Sequence, residues 1–302
     1  MKDLLIGCFI NYEYYHILPW VESINKVDFP GYKYVIVSDI SKELSSILKE
    51  KGFTVIDKGK TDTQINNIVV DRFFDVSDFL KTFDEEVRYV ISTDVRDVIF
   101  QRNPSEWLEE NMGDAEVVVS GEGFKYEDEP WSRNNMITAF GSEQYEFMRD
   151  KPIHCAGVIA GTKEGIIRLF DEIWFACQGK PPYVPGGGGP DQSAFNIILN
   201  TQYDLVRVKY TTNDDTWACQ LGTTVPAIKA GSGDIGHEFA KRYFSGLYLD
   251  EVKQKMLAKE PKLDGKTILN NDGKPYYIIH QYDRIPEWRD TILERDTITI
   301  RA

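Results

Sequence analysis

The chain has little cysteine and little histidine. Its 302 residues hold four cysteines, Cys8, Cys155, Cys177 and Cys219. They lie far apart, form no CxxC pair and sit mostly among apolar neighbours, the pattern of reduced, buried thiols. Only His16, His154, His237 and His280 are available for imidazole chemistry. No apolar run is long enough to span a bilayer. Residues 4–10 are apolar but too few, and Asn11-Tyr12-Glu13 follows where a signal peptide would end in small residues. The expectation is a soluble, cytoplasmic protein with no membrane span. Basic charge is also in deficit: 35 Lys and Arg against 48 Asp and Glu give a net charge of −13 at pH 7. Such a chain repels phosphate backbones, so nucleic acid is not an expected partner. A nucleotide is still compatible, because a divalent cation and a few arginines reverse the field inside one cleft. Repeats, linkers and low-complexity tracts are lacking too, which leaves one domain over residues 1–302.

Apolar segments at 4–10, 32–38 and 53–56 read as strands, and polar segments of helical length fill 15–24 and 42–51. This βαβαβ beginning predicts an α/β fold with a Rossmann-like, mostly parallel sheet flanked by helices, its ligands at the carboxyl ends of the strands. Residues 65–83 carry apolar side chains at helical spacing and lead into a strand at 88–92. Further strands are expected at 115–120, 155–160, 206–210 and 276–279, with helices at 163–177, 191–199 and 246–257. Residues 230–236 read as loop. The glycines at 186–189 form a loop that opens onto the helix starting at Asp191.

Just past the strand at 88–92, Asp94 and Asp97 stand three residues apart in Ser92-Thr93-Asp94-Val95-Arg96-Asp97. A turn there brings both carboxylates to one hard cation, Mg²⁺ or Mn²⁺, whose shell substrate phosphates commonly complete. The competing reading is a solvated turn, with Asp97 paired to Arg96 or Arg102. His280 closes the apolar strand at 276–279. A histidine there is either a hydrogen-bonded structural residue or a third metal ligand. Arg72 offers planar donors to a sugar or phosphate, or is a surface charge on its helix. Asp191 is placed as an N-cap. Asn11, Tyr12 and Asp39 follow the first two strands, where a nucleotide's base and ribose would lie.

Taken in order, Asp71-Arg72-Phe73-Phe74, the strand ending at Ser92, Asp94 and Asp97, Cys155-Ala156-Gly157-Val158-Ile159, Asp191-Gln192 and His280 resemble the motif set of GT-A glycosyltransferases. The likeness is nearest to family 8 and to the glycosyltransferase domain of procollagen lysyl hydroxylases. It takes in Gly121-Glu122-Gly123-Phe124 with Trp131, and Asp215 with Cys219-Gln220. It implies a GT-A fold with a donor-binding part over about 1–110 and an acceptor-side part over about 111–290. It also implies a metal site of Asp94, Asp97 and His280 that holds Mn²⁺ or Mg²⁺ against a UDP-sugar, with Arg72 on the donor. The acceptor would be a carbohydrate or glycoconjugate. Asp191 would sit beside the transferred sugar, and Glu122 or Asp215 would be the general base if the enzyme inverts; family 8 enzymes retain. Two features depart from the pattern. Arg96 stands where family 8 favours aspartate, and Gln281-Tyr282-Asp283-Arg284 replaces a glycine-containing turn. The rivals are a sugar-nucleotide pyrophosphorylase, which carries a glycine-rich basic loop where this chain has Asn11-Tyr12-Glu13-Tyr14-Tyr15, and a non-catalytic binding module on the same fold.

Overall fold

The computed structural model describes residues 1–61, 67–183, 188–224 and 261–295. The expected loop at 230–236, the helix at 246–257 and residues 186–187 of the glycine run lie outside the described residues. The chain opens with β1 (Lys2–Ile10), α1 (Tyr14–Lys26), β2 (Tyr32–Ser38), α2 (Lys42–Glu50) and β3 (Thr54–Asp57). After α3 (Ile68–Thr82) come β4 (Val87–Thr93), β5 (Val98–Phe100), α4 (Pro104–Asn111), β6 (Val117–Lys125), α5 (Pro130–Phe140) and α6 (Ser142–Met148). β7 (Pro152–Gly161), α7 (Lys163–Cys177), α8 (Asp191–Thr201), β8 (Val208–Thr211) and β9 (Ala218–Gln220) follow. The short strands β10 (Lys262–Asp264), β11 (Thr267–Leu269) and β12 (Ile278–His280) precede a helix at Pro286–Arg295.

Seven strands form the main sheet in the order β3-β2-β1-β4-β7-β6-β8. β7 alone runs against the others, antiparallel to both β4 and β6. β1 is central, and its Leu4, Leu5 and Ile6 are fully buried, which is why the strand reads as a continuous apolar run and does not alternate. One face of the sheet packs Trp20, Trp107, Val118 and Trp217, the other Phe73, Val119, Phe170 and Phe195. α2 and α3 begin where the sequence supplies a cap: Ser41 Oγ accepts from Leu44 N, and Asn67 Oδ1 from Val69 N.

A second sheet, β5-β12-β9, positions the late histidine. Ile279 of β12 lies opposite Ile99 of β5, while His280 is in register with Gln220 of β9. Three short, fully buried strands thus bring residue 280 beside the turn that joins β4 to β5.

Candidate active site

β4 is held by Trp20, whose Nε1 donates to Thr93 Oγ1 at 2.8 Å. Beyond it, Asp94 N donates to Gly157 O at 2.8 Å and Gln281 N donates to Asp97 O at 2.6 Å. These bonds hold the acidic turn against β7 and the end of β12. Asp94, Asp97 and His280 each offer a ligand atom, and the three atoms lie within 4.8 Å of one another. His280 Nε2 is 3.5 Å from an oxygen of each aspartate. Two carboxylate oxygens and one imidazole nitrogen suit a hard or borderline divalent cation such as Mn²⁺ or Mg²⁺. Gly157 keeps room for the His280 and Asp94 side chains. A Cβ there would fall 2.6 Å from His280 Cε1 and 2.9 Å from Asp94 Oδ2.

The cluster is electrostatically tight. Burial opposes a charged His280, but Cys155, Asp97 and Asp94 around it outweigh that and raise its pKa well above the usual imidazole value. Burial would likewise raise Asp97, yet His280, Arg284 and Arg96 bring it down to about 2. Asp97 is therefore an anion at any working pH. A cation held there would compete with the His280 proton for one nitrogen, since a ligand histidine must be deprotonated.

Arg72, on α3, joins this cluster to α8. Its guanidinium hydrogen-bonds Asp94 through Nη1, and Nη2 donates to Asp191 Oδ2 at 3.1 Å and to Ala156 O at 3.2 Å. The surface-charge reading of Arg72 is thereby corrected. So is the N-cap reading of Asp191, because Pro190 occupies the cap position and the Asp191 carboxylate turns to Arg72. Burial raises Asp191 above the ordinary carboxylate value against the pull of Arg72.

Glu122, on β6, is buried and hydrogen-bonds Gln192 and Cys155. Burial and then Glu129 push its carboxyl up to about 7. On the opposite side of the cluster, Asn11 and Asp39 follow the paired residues Ile10 and Ser38 at the carboxyl ends of β1 and β2. Both have positive φ, 52° and 54°, uncommon for non-glycine residues. Tyr12 stacks on Phe9 at 5.7 Å and lies within the field of Arg96, Asp94 and Asp97.

Asp215 is not brought to the cluster. Its carboxylate accepts from Thr212 N at 2.7 Å and from Thr212 Oγ1 at 3.1 Å, closing a turn ahead of β9. Trp217 is fully buried against Trp107, with ring centroids 4.9 Å apart. Sequence reasoning assigned no role to Gly157 or Gln220. A glycine inside the apolar strand at 155–160 is a signal for the first, whereas the three residues of β9 are too few to mark Gln220 as a strand end.

A mostly parallel sheet with one reversed strand, flanked by helices, is the GT-A fold, and a solved structure shares it. A galactosyltransferase, LgtC, determined with donor and acceptor sugar analogues, superposes with a TM-score of 0.54 at 13% identity, covering 99% of this chain and 97% of that one. Two apo structures align less closely. GlyE of Streptococcus pneumoniae TIGR4 gives a TM-score of 0.49 at 16% identity over 93% of this chain and 54% of that one. Mouse xyloside xylosyltransferase 1 gives 0.48 at 13% over 95% and 99%. No family model and no curated protein matches the chain. Among the described residues, no helix is long and apolar enough to cross a membrane.

Proposed function

We propose that this chain is a metal-dependent glycosyltransferase that moves a hexose from a UDP-sugar to an acceptor hydroxyl. The observation that carries this reading is the convergence of Asp94, Asp97 and His280 at the carboxyl end of β4, joined through Arg72 to Asp191. Asp94, Asp97 and His280 would hold Mn²⁺ or Mg²⁺, which when bound offsets charge on the departing diphosphate. Asn11, Tyr12 and Asp39 line the strand ends on the side of the base and ribose. Arg72 orients Asp94 and Asp191, so the carboxylate beside the transferred sugar is fixed relative to the diphosphate side of the site. Glu122, with its carboxyl near neutrality, is suited to take the acceptor's proton in an inverting reaction. With Asp215 committed to its turn, Glu122 is the better placed of the two. The donor part is assigned to about 1–110 and the acceptor side to about 111–290. The latter contains a cavity of about 610 Å³ bordered by Glu122, His154, Tyr203, Tyr210 and Asn213, consistent with a carbohydrate acceptor on that side. Free Cys8, Cys155, Cys177 and Cys219 fit a cytoplasmic setting.

The test is UDP release from UDP-glucose and UDP-galactose with Mn²⁺, with and without EDTA. Metal-stimulated release that is lost in Asp97→Asn, with the melting temperature of the variant kept, is expected. Absence of release from both donors, or full release in EDTA, would overturn the proposal. A binding module on this fold would bind UDP and Mn²⁺ without release.

A further inference from the structure

We propose that Gln220 is a positioning residue of the metal site and fixes which nitrogen of His280 is offered to the cation. This inference rests on the metal site proposed above. His280 Nδ1 lies 2.6 Å from Gln220 Oε1, and the two residues are register partners on adjacent strands. Both are buried, His280 to 3% exposure and Gln220 to 0%, so water does not substitute for this contact. The amide oxygen is only an acceptor, so Nδ1 keeps its proton, and Nε2 is the nitrogen that gives up its proton and offers a lone pair when a cation binds beside Asp94 and Asp97. Reversal of the amide would place an N–H against Nδ1 and drive the proton to Nε2, between the carboxylates, where it blocks coordination.

The other end of the amide has no partner. Gln220 Nε2 is buried and has no hydrogen-bond partner, and a buried unpaired donor costs about 1–3 kcal/mol. An apolar side chain of the same length would avoid that cost if Gln220 served packing alone. Cys155 Sγ, 3.3 Å from Nδ1, is a much weaker acceptor and does not replace the amide.

The experiment measures Mn²⁺ alone, without nucleotide, by calorimetry on the full chain carrying Gln220→Met or Gln220→Glu. Gln220→Met keeps length and removes the acceptor, and it is expected to weaken Mn²⁺ binding 10- to 100-fold, the range known for partners of metal-bound histidine. Gln220→Glu keeps an acceptor oxygen for Nδ1, replaces the unpaired NH2 with a second oxygen and adds a negative charge that strengthens the Nδ1 hydrogen bond, so it is expected to bind at least as tightly as the parent. A merely structural role would give two variants alike in affinity. Parent-like binding by Gln220→Met, or binding by folded Gln220→Glu weakened as much as in the Met variant, would overturn the assignment. If Gln220→Met does not fold, Gln220→Leu, which also lacks an acceptor, takes its place in the comparison with Gln220→Glu. A parent that binds no Mn²⁺ instead sinks the metal site on which the assignment rests.

Discussion

Gly157 tests the metal site without a change to any ligand side chain. A Cβ there meets His280 and Asp94 inside 3 Å, so Gly157→Ala is expected to reduce Mn²⁺ affinity by at least ~10-fold, judged against the cost of disturbing a ligand's supports. Calorimetry with Mn²⁺ checks it, and parent-like affinity would show that the cation lies elsewhere. His154 gives a prediction in pH. It is 5% exposed, and burial lowers its pKa from 6.5 to about 4. The unfolded chain therefore binds a proton that the folded chain refuses between those values. The contribution is fully present above pH 6.5 and is lost as pH falls toward 4, on the order of 3 kcal/mol. Urea melts at pH 7 and pH 4.5 should show less acid destabilisation in His154→Phe than in the parent. Asp94, Asp97 and His280 could be picked out because each ends or follows an apolar strand. Asp215 could not be dismissed, because turn-closing and catalytic aspartates look alike until the partner, here Thr212, is seen.

Elements with an apolar inner stripe were readable, and those with a polar one were not. The segments 32–38 and 163–177 match β2 and α7. α5 was missed, because it buries Ser132, Asn135, Met136 and Ala139, a mixed face with no apolar period. Its start was nonetheless written locally: Glu129 accepts from Trp131 N and Ser132 N, and Pro130 occupies the first turn. The polar face has a task. Asn135 Nδ2 donates to Gly189 O at 2.9 Å, and Asn135 Oδ1 accepts from Ser193 Oγ at 2.7 Å. It thus brackets Asp191 from both sides in sequence. Asn135→Ala should destabilise by about 1–3 kcal/mol, because it strands a buried hydroxyl and carbonyl. If Asp191 positions the donor sugar, the variant should also raise KM for the UDP-sugar, while Mn²⁺ affinity stays unchanged. A shift in Mn²⁺ affinity instead would mean that the disturbance spreads through Arg72.

For the whole molecule, the first half of the sheet followed from the βαβαβ pattern, whereas the reversal of β7 did not, since an apolar strand carries no mark of its direction. Of the second sheet only β12 was marked, by the apolar run at 276–279 that leads into His280; β5 and β9 have three residues each, too few for any period to show. If the metal site is correct, UDP with Mn²⁺ at about 100 times Kd should stabilise the fold by about 2.7 kcal/mol, and Asp97→Asn should lose most of that gain. A melting temperature that rises equally in the variant would place the ligand elsewhere. The pairing of β12 with β5 also has a consequence for synthesis. More than half of the chain lies between Asp97 and His280, so a ribosome releases both aspartates long before the histidine that completes their set. Until β12 docks, the nascent chain carries an acidic turn with no third ligand, and the cation would join the protein only after nearly all of the described fold has been made.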